Sequence, residues 1–174
     1  MDVNRHVKWP YWPVEVQVRE STEVEKGDLI FLDEVNNLRN NGSSTANHSA
    51  YPFSKLSGAS GTLANNQYLA AYHFLGVAME GSYGPSGSEA GVTQNIAVAT
   101  TGHFSFPLKS PKSFKVASVV MPSGSGVTLF DQKVMMWESG STYPLGYVTE
   151  GRTRGVSVTL LLRTGPCGHG RRIS

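Results

Sequence analysis

The chain has 174 residues, 39% apolar, 10% aromatic and 16% charged, with 19 glycines and one cysteine. That is the length of one domain; a folded chain of this size removes roughly 70% of its extended surface from water, and one cysteine excludes a disulfide-stapled scaffold. Fifteen basic against thirteen acidic residues give a net charge of +2, too weak a field to hold phosphate backbone by counterion release, so no nucleic acid partner is expected. No apolar run is long enough to span a bilayer, and Met1 to His6 lacks the basic-then-apolar order of an export signal, so no membrane partner is expected either. A charged share well below the usual quarter or so, with many glycines, points to a β-rich chain with much of its surface covered or uncharged, which hints at a partner.

The first segment in chain order is an arm, Val3 to Pro13, in which Trp9, Tyr11 and Trp12 are interleaved with Pro10 and Pro13. Proline removes backbone donors and favours extended geometry, so this stretch forms neither a helix nor a central strand. Its rings either fold back over the chain's own core or reach a neighbour. Each ring buries on the order of 150–250 Å², roughly 4–6 kcal/mol gross, against an ordering cost of about 1–2 kcal/mol per residue. Three rings therefore roughly offset the ordering of the arm, and net affinity would come from added strand pairing or from several arms acting together.

Strand candidates follow. Val14 to Val18 alternates apolar with polar and should be half exposed, while Leu29 to Leu32 is continuously apolar and should be buried on both faces. Further candidates are Phe74 to Ala78, Asn95 to Ala99, His103 to Phe106, Phe114 to Val119, Lys133 to Trp137, Leu145 to Val148 and Val156 to Leu162. Helix periodicity is nearly absent, and the one helical candidate is Ala64 to Tyr72. From Glu34 to about Asn66 the chain is rich in Asn, Ser, Gly and Ala, with Glu34, Arg39 and Lys55 its only charges. Tyr51, Pro52 and Phe53, with Leu56 and Leu63, offer apolar anchors, which favours an ordered insertion packed on something. The expected organisation is an arm at 1–13, one all-β domain at 14–163 with an insertion at 34–72, and a basic tail at 164–174. The fold class is a small antiparallel β-barrel or β-sandwich. A weak internal echo, Leu75 to Gly81 against Leu145 to Gly151, suggests that both halves contain one strand–loop–strand unit, following Leu29 to Leu32 in one half and Val134 to Trp137 in the other.

Motifs for chemistry are lacking. There is no phosphate-cradling loop and no nucleophile elbow. Asp28 and Asp33 flank one strand five residues apart, hence on opposite faces. Cys167 and His169 are too few for a structural zinc site. Asn41 and Asn47 match the glycosylation pattern without an export signal. No catalytic residue, cofactor or metal is expected, and an enzyme is not the reading.

The order of these elements resembles the phage capsid cement, or head decoration, family. It is carried by Gly27-Asp28 before an apolar strand, Gly76-Val77-Ala78, Ile96 to Phe104 with Gly102, Gly146-Tyr147-Val148 and the strand Val156 to Leu162. Some relatives bear a recombinase label, which the missing phosphate loop argues against here. The resemblance implies a protein made in the host cytoplasm and carried on the outer surface of the icosahedral head of the virion. It would be a homotrimer that binds and bridges major capsid protein subunits. The expected capsid and sister-subunit contacts are Val3, Arg5, Val7, Trp9, Pro10, Tyr11 and Trp12 of the arm and Tyr51 and Phe53 of the insertion. The alternative is a sugar- or receptor-binding β-module of a fibre or tail that uses exposed Trp and Tyr as stacking platforms.

Overall fold

The computed structural model describes residues 6–8, 13–18, 22–33, 49–56, 61–82, 94–136 and 143–163. In chain order these form β1 (His6–Lys8), β2 (Pro13–Val18), β3 (Leu29–Asp33), β4 (Ser49–Pro52), a 3-10 turn (Phe53–Lys55), α1 (Leu63–Tyr72) and β5 (Phe74–Ala78). They continue as β6 (Gln94–Ala99), β7 (Thr101–Phe114), β8 (Val119–Ser125), β9 (Thr128–Met136), β10 (Gly146–Val148) and β11 (Arg152–Arg163). The all-β expectation holds. The strands form a closed barrel in the order β2-β4-β3-β5-β6 and a second sheet in the order β1-β7-β11-β10-β8-β9, with β7 also pairing β9.

The second sheet repeats the plan of the barrel strand for strand, with β7, β8, β9, β10 and β11 standing for β2, β3, β4, β5 and β6. The antiparallel pair Val14↔Val98 corresponds to Phe104↔Leu160. Leu29↔Val77 corresponds to Val119↔Tyr147, and Val77↔Ala99 to Tyr147↔Leu161. Leu32↔Ala50 corresponds to Pro122↔Val134. Each ring is sealed by one parallel contact, Val18↔Ala50 in the first and Leu108↔Val134 in the second. β1 is the added strand, lying on β7 beside His103 and Phe104.

Alternation along the strands sends equivalent residues inward in both units. The first is filled by Val18, Val24, Ile30, Ala50, Leu75, Ala78, Ile96 and Val98. Their counterparts Leu108, Phe114, Val120, Val134, Leu145, Val148, Val158 and Leu160 are buried in the larger cluster. That cluster also takes in the other face of the first barrel, where Leu29, Phe31, Tyr51 and Val77 are covered. Its rings interlock: Phe31 stacks on Tyr51 at 5.8 Å, and Phe53 meets Phe74 edge-on at 5.7 Å, pairs each worth about 0.5–1.5 kcal/mol beyond their burial.

The echo between residues 75–81 and 145–151 marks this repetition. A Cβ on Gly76 would lie 2.1 Å from the Ala99 carbonyl oxygen, and one on Gly146 2.8 Å from the Leu161 carbonyl oxygen, so glycine is what lets β5 reach β6 and β10 reach β11. The structural equivalent of Leu29 to Leu32 is Val119 to Pro122, however, and not Val134 to Trp137. Pro122 and Gly124 hide β8 from a sequence reading, because both residues count against a strand interior. The expected strand Phe114 to Val119 is also absent. Phe114 ends β7 and Val119 begins β8, and between them Ala117 takes a left-handed φ of 65° while the Ser118 amide donates to the Lys115 carbonyl at 3.1 Å.

The insertion supplies β4, the 3-10 turn and α1. Thr62 caps α1 by accepting from the Asn65 amide at 3.3 Å. The buried side of this helix is partly polar: Gln67 donates to the Pro122 carbonyl at 2.9 Å and Asn66 to the Val127 carbonyl. These amides satisfy carbonyls of β8 and the turn that follows it, which fastens the insertion of the first unit to the second.

Replacing either close-approach glycine by alanine forces the strands apart. Gly76→Ala and Gly146→Ala should each lose roughly 1–3 kcal/mol, with Gly76→Ala the worse because its contact is shorter. Chemical denaturation of the two variants checks this, and unchanged midpoints would contradict it.

Candidate functional site

Three surface features stand out, and two of them occupy equivalent positions in the two units. In the first unit the chain turns at Glu25 to Asp28 before β3. The Gly27 amide donates to the Ala78 carbonyl at 2.8 Å, the Asp28 amide to the Glu25 carbonyl at 3.1 Å, and the Asp28 carboxylate accepts from the Glu25 amide at 2.8 Å. In the second unit the Ala117 amide donates to the Val148 carbonyl at 2.8 Å, the Ser118 amide to the Lys115 carbonyl at 3.1 Å, and the Ser118 hydroxyl accepts from the Lys115 amide at 3.1 Å. The two turns share one backbone geometry, with an aspartate and a serine doing the same capping work.

Their surroundings differ. The first turn opens on a cleft lined by the acids Glu23, Glu25, Asp28 and Asp131 together with Ser54, Gln132, Lys55 and Lys133. There the units are tied together. Gln132 of β9 donates to Asp28 at 2.8 Å and to Glu25 at 3.3 Å, and Asp131 accepts from the Ser54 amide of the 3-10 turn. Burial pushes the Asp28 carboxyl up to about 6, against the opposing hydrogen bonds from Glu25 and Gln132, and the nearby charges of Asp131 and Glu25 push the same way. Burial also raises Asp131, opposed by its bonds to Ser54 and by Lys55. Among the described residues no group of three or more His, Cys, Asp or Glu is arranged to hold a metal ion.

The second turn opens on a cleft lined by Ser113, Phe114, Lys115, Val116, Gly151 and Arg152. The third feature is an exposed ring cluster on α1. Tyr68 and Tyr72, 46% and 43% exposed, stack at 5.9 Å, and Tyr143 meets Tyr68 edge-on at 5.7 Å.

Of the contact residues expected from the sequence, Val7, Tyr51 and Phe53 are among the described residues. Tyr51 and Phe53 are 1% and 0% exposed, inside the chain's own core. They anchor the insertion, as apolar residues there should, and their side chains offer no surface to a partner. Val7 belongs to β1, which pairs with this chain's own β7, so that part of the arm folds back. Val3, Arg5, Trp9, Pro10, Tyr11 and Trp12 lie outside the described residues, as do the basic tail, Cys167 and His169, and Asn41 and Asn47.

The sequence reading missed both clefts and the tyrosines. Sequence spacing pairs Asp28 with Asp33, its neighbour along the strand, whereas its structural neighbour is Asp131, which no spacing rule connects to it. The tyrosines did carry a signal, since Tyr68 and Tyr72 are four apart in the helical candidate and so share one face.

The chain matches no protein-family model and no curated protein. Among solved structures it is similar to the N base of head fiber gp8.5 in bacteriophage phi29, with 15% identity, a TM-score of 0.41 and coverage of 87% of this chain and 94% of that one. A likeness at that level assigns no function to this chain.

The raised carboxyl of Asp28 has a sign that can be tested. A folded value of about 6 above the ordinary 3.8 means that the folded state holds this proton more tightly than the unfolded one. This contribution to stability therefore increases as pH falls from 7 through 6 towards 4, and levels off below. Asp28→Asn should raise stability at pH 7 by about 1 kcal/mol after solvent screening and flatten the profile between pH 4 and 7. Thermal melts of both proteins across that range check it, and a variant that is less stable at pH 7 would refute it.

Proposed function

We propose that this chain is a phage head-associated protein, specifically a capsid decoration protein. In this reading it binds the outside of the assembled shell and bridges major capsid protein subunits without turnover. The observation that carries the reading is the ordered series of motifs resembling that family. Its segments fall on β3, β5, β6 with β7, β10 and β11 in turn, and so run through both repeated units. A ligand that binds an assembled lattice better than free subunits stabilises the lattice by linkage. In this reading strand addition to a capsid subunit falls to the arm outside β1, since residues 6–8 already pair with the chain's own β7. Strand addition supplies main-chain hydrogen bonds, and adjacent side chains supply selectivity.

The alternative, a sugar- or receptor-binding module, has one observation in its favour, the exposed cluster of Tyr68, Tyr72 and Tyr143. Flat rings with polar edges are suited to stacking on sugar faces. Binding of the monomer to a glycan array, lost in Tyr68→Ala and with no affinity for heads, would favour that module.

Deleting residues 1–12 tests the decoration reading. Co-sedimentation with purified expanded heads should fall to background while the truncated protein still melts cooperatively. Undiminished occupancy of the heads would remove the arm from the mechanism, and failure of the full chain to sediment with heads would overturn the reading.

A further inference from the structure

The repetition of one plan within the chain isolates a second docking element. In the first unit the turn Glu25 to Asp28 is engaged, since Gln132 of the other unit donates to both of its carboxylates. The equivalent turn of the second unit, Lys115 to Ser118, is open to solvent, with Val116 at its tip 64% exposed. Its charge is reversed as well. Where the first turn carries Glu23, Glu25 and Asp28 with Lys26, the second carries Lys112, Lys115, Arg152 and Arg154, all exposed, with Glu150 as the nearby acid.

The ground beneath these cations is firmly built. Phe114 is buried under Gly155, where a Cβ would come within 2.7 Å of its ring. The Arg154 amide donates to the Ser113 hydroxyl at 3.2 Å. Among the described residues, the two non-glycine residues with left-handed φ both lie here, Ala117 at 65° and Arg154 at 54°. Strained backbone of this kind clusters where a surface does something.

We propose that the turn Lys115 to Ser118, with Arg152 and Arg154 beside it, is a docking surface for an acidic segment of a partner protein. Lys115 and Arg152 both line one open cleft, where two cations attract carboxylates, and Val116 adds an apolar contact at the tip. A protein partner fits better than nucleic acid because the ring of the cleft, Phe114, is buried and offers no face for base stacking. The exposed pair of Arg152 with Glu150, 3.8 Å apart, is weak enough for a partner's carboxylate to displace. The surface is independent of the capsid reading and holds for any acidic protein partner.

The test is fluorescence anisotropy of labelled decaglutamate with the full chain, beside a single-stranded decathymidine. The peptide should bind more tightly than the DNA and weaken with added salt. The double variant Lys115→Glu with Arg152→Glu should bind the peptide about tenfold more weakly, and Glu150→Gln two- to threefold more tightly. Lys26→Glu, within the corresponding turn of the first unit, should change little, which separates a local site from an effect of net charge. Peptide affinity unmoved by the double variant, an equal loss in Lys26→Glu, or preference for the DNA would each overturn the proposal. Far-UV circular dichroism of the double variant confirms that its fold is intact.

Discussion

Closing five strands into a ring is the constraint on which the rest of this structure depends. A ring has no free edge, but closure demands that strands meet at fixed register and that one pair run parallel where the chain order does not allow an antiparallel return. Both units solve this alike, with a single parallel contact at Val18↔Ala50 and at Leu108↔Val134, and with a glycine pressed against a carbonyl of the next strand. The inward residues, the turns and the position of α1 follow from that frame. Valines at 14, 16 and 18 and bulkier Phe104, Phe106 and Leu108 occupy the same inward sites, so the frame tolerates large changes of side-chain volume while its register stays fixed.

Much of this was legible in the sequence. Alternation at Val14 to Val18 and continuity at Leu29 to Leu32 located β2 and β3, and Phe74 to Ala78 is β5 to the residue. Other elements were hidden for physical reasons. β8 contains Pro122 and Gly124, and β4 is four residues of Ser, Ala, Tyr and Pro. α1 was visible by composition alone, because its buried side includes Asn66 and Gln67, which are held by hydrogen bonds to backbone carbonyls rather than by an apolar stripe. The repetition was nearly invisible, since Val24 faces Phe114 and Ala50 faces Val134 in the comparison of the two units. Only the segment with the indispensable glycine kept a recognisable form.

The first cleft was less legible than the fold, because it is assembled across the units. Gln132 reaches Asp28 from more than a hundred residues away in sequence, and Ser54 reaches Asp131 from 77. Polar residues brought together in this way leave no periodic trace. Tyr51 and Phe53 illustrate the opposite error. An aromatic residue in a polar insertion reads as an anchor and as a contact surface alike, but a long insertion first needs anchors of its own, and these two buried rings meet that need.

In an assembly of separate identical subunits, every substitution appears at all equivalent positions at once, so a surface cannot be acidic in one copy and basic in the next. Two copies of one plan on a single chain escape that restriction. Here the same backbone turn is held by an aspartate that binds the neighbouring unit and, again, by a serine amid lysines and arginines that face outward. The peptide link between the units thus lets one copy of the turn serve the junction between them while the other presents the opposite charge to solvent.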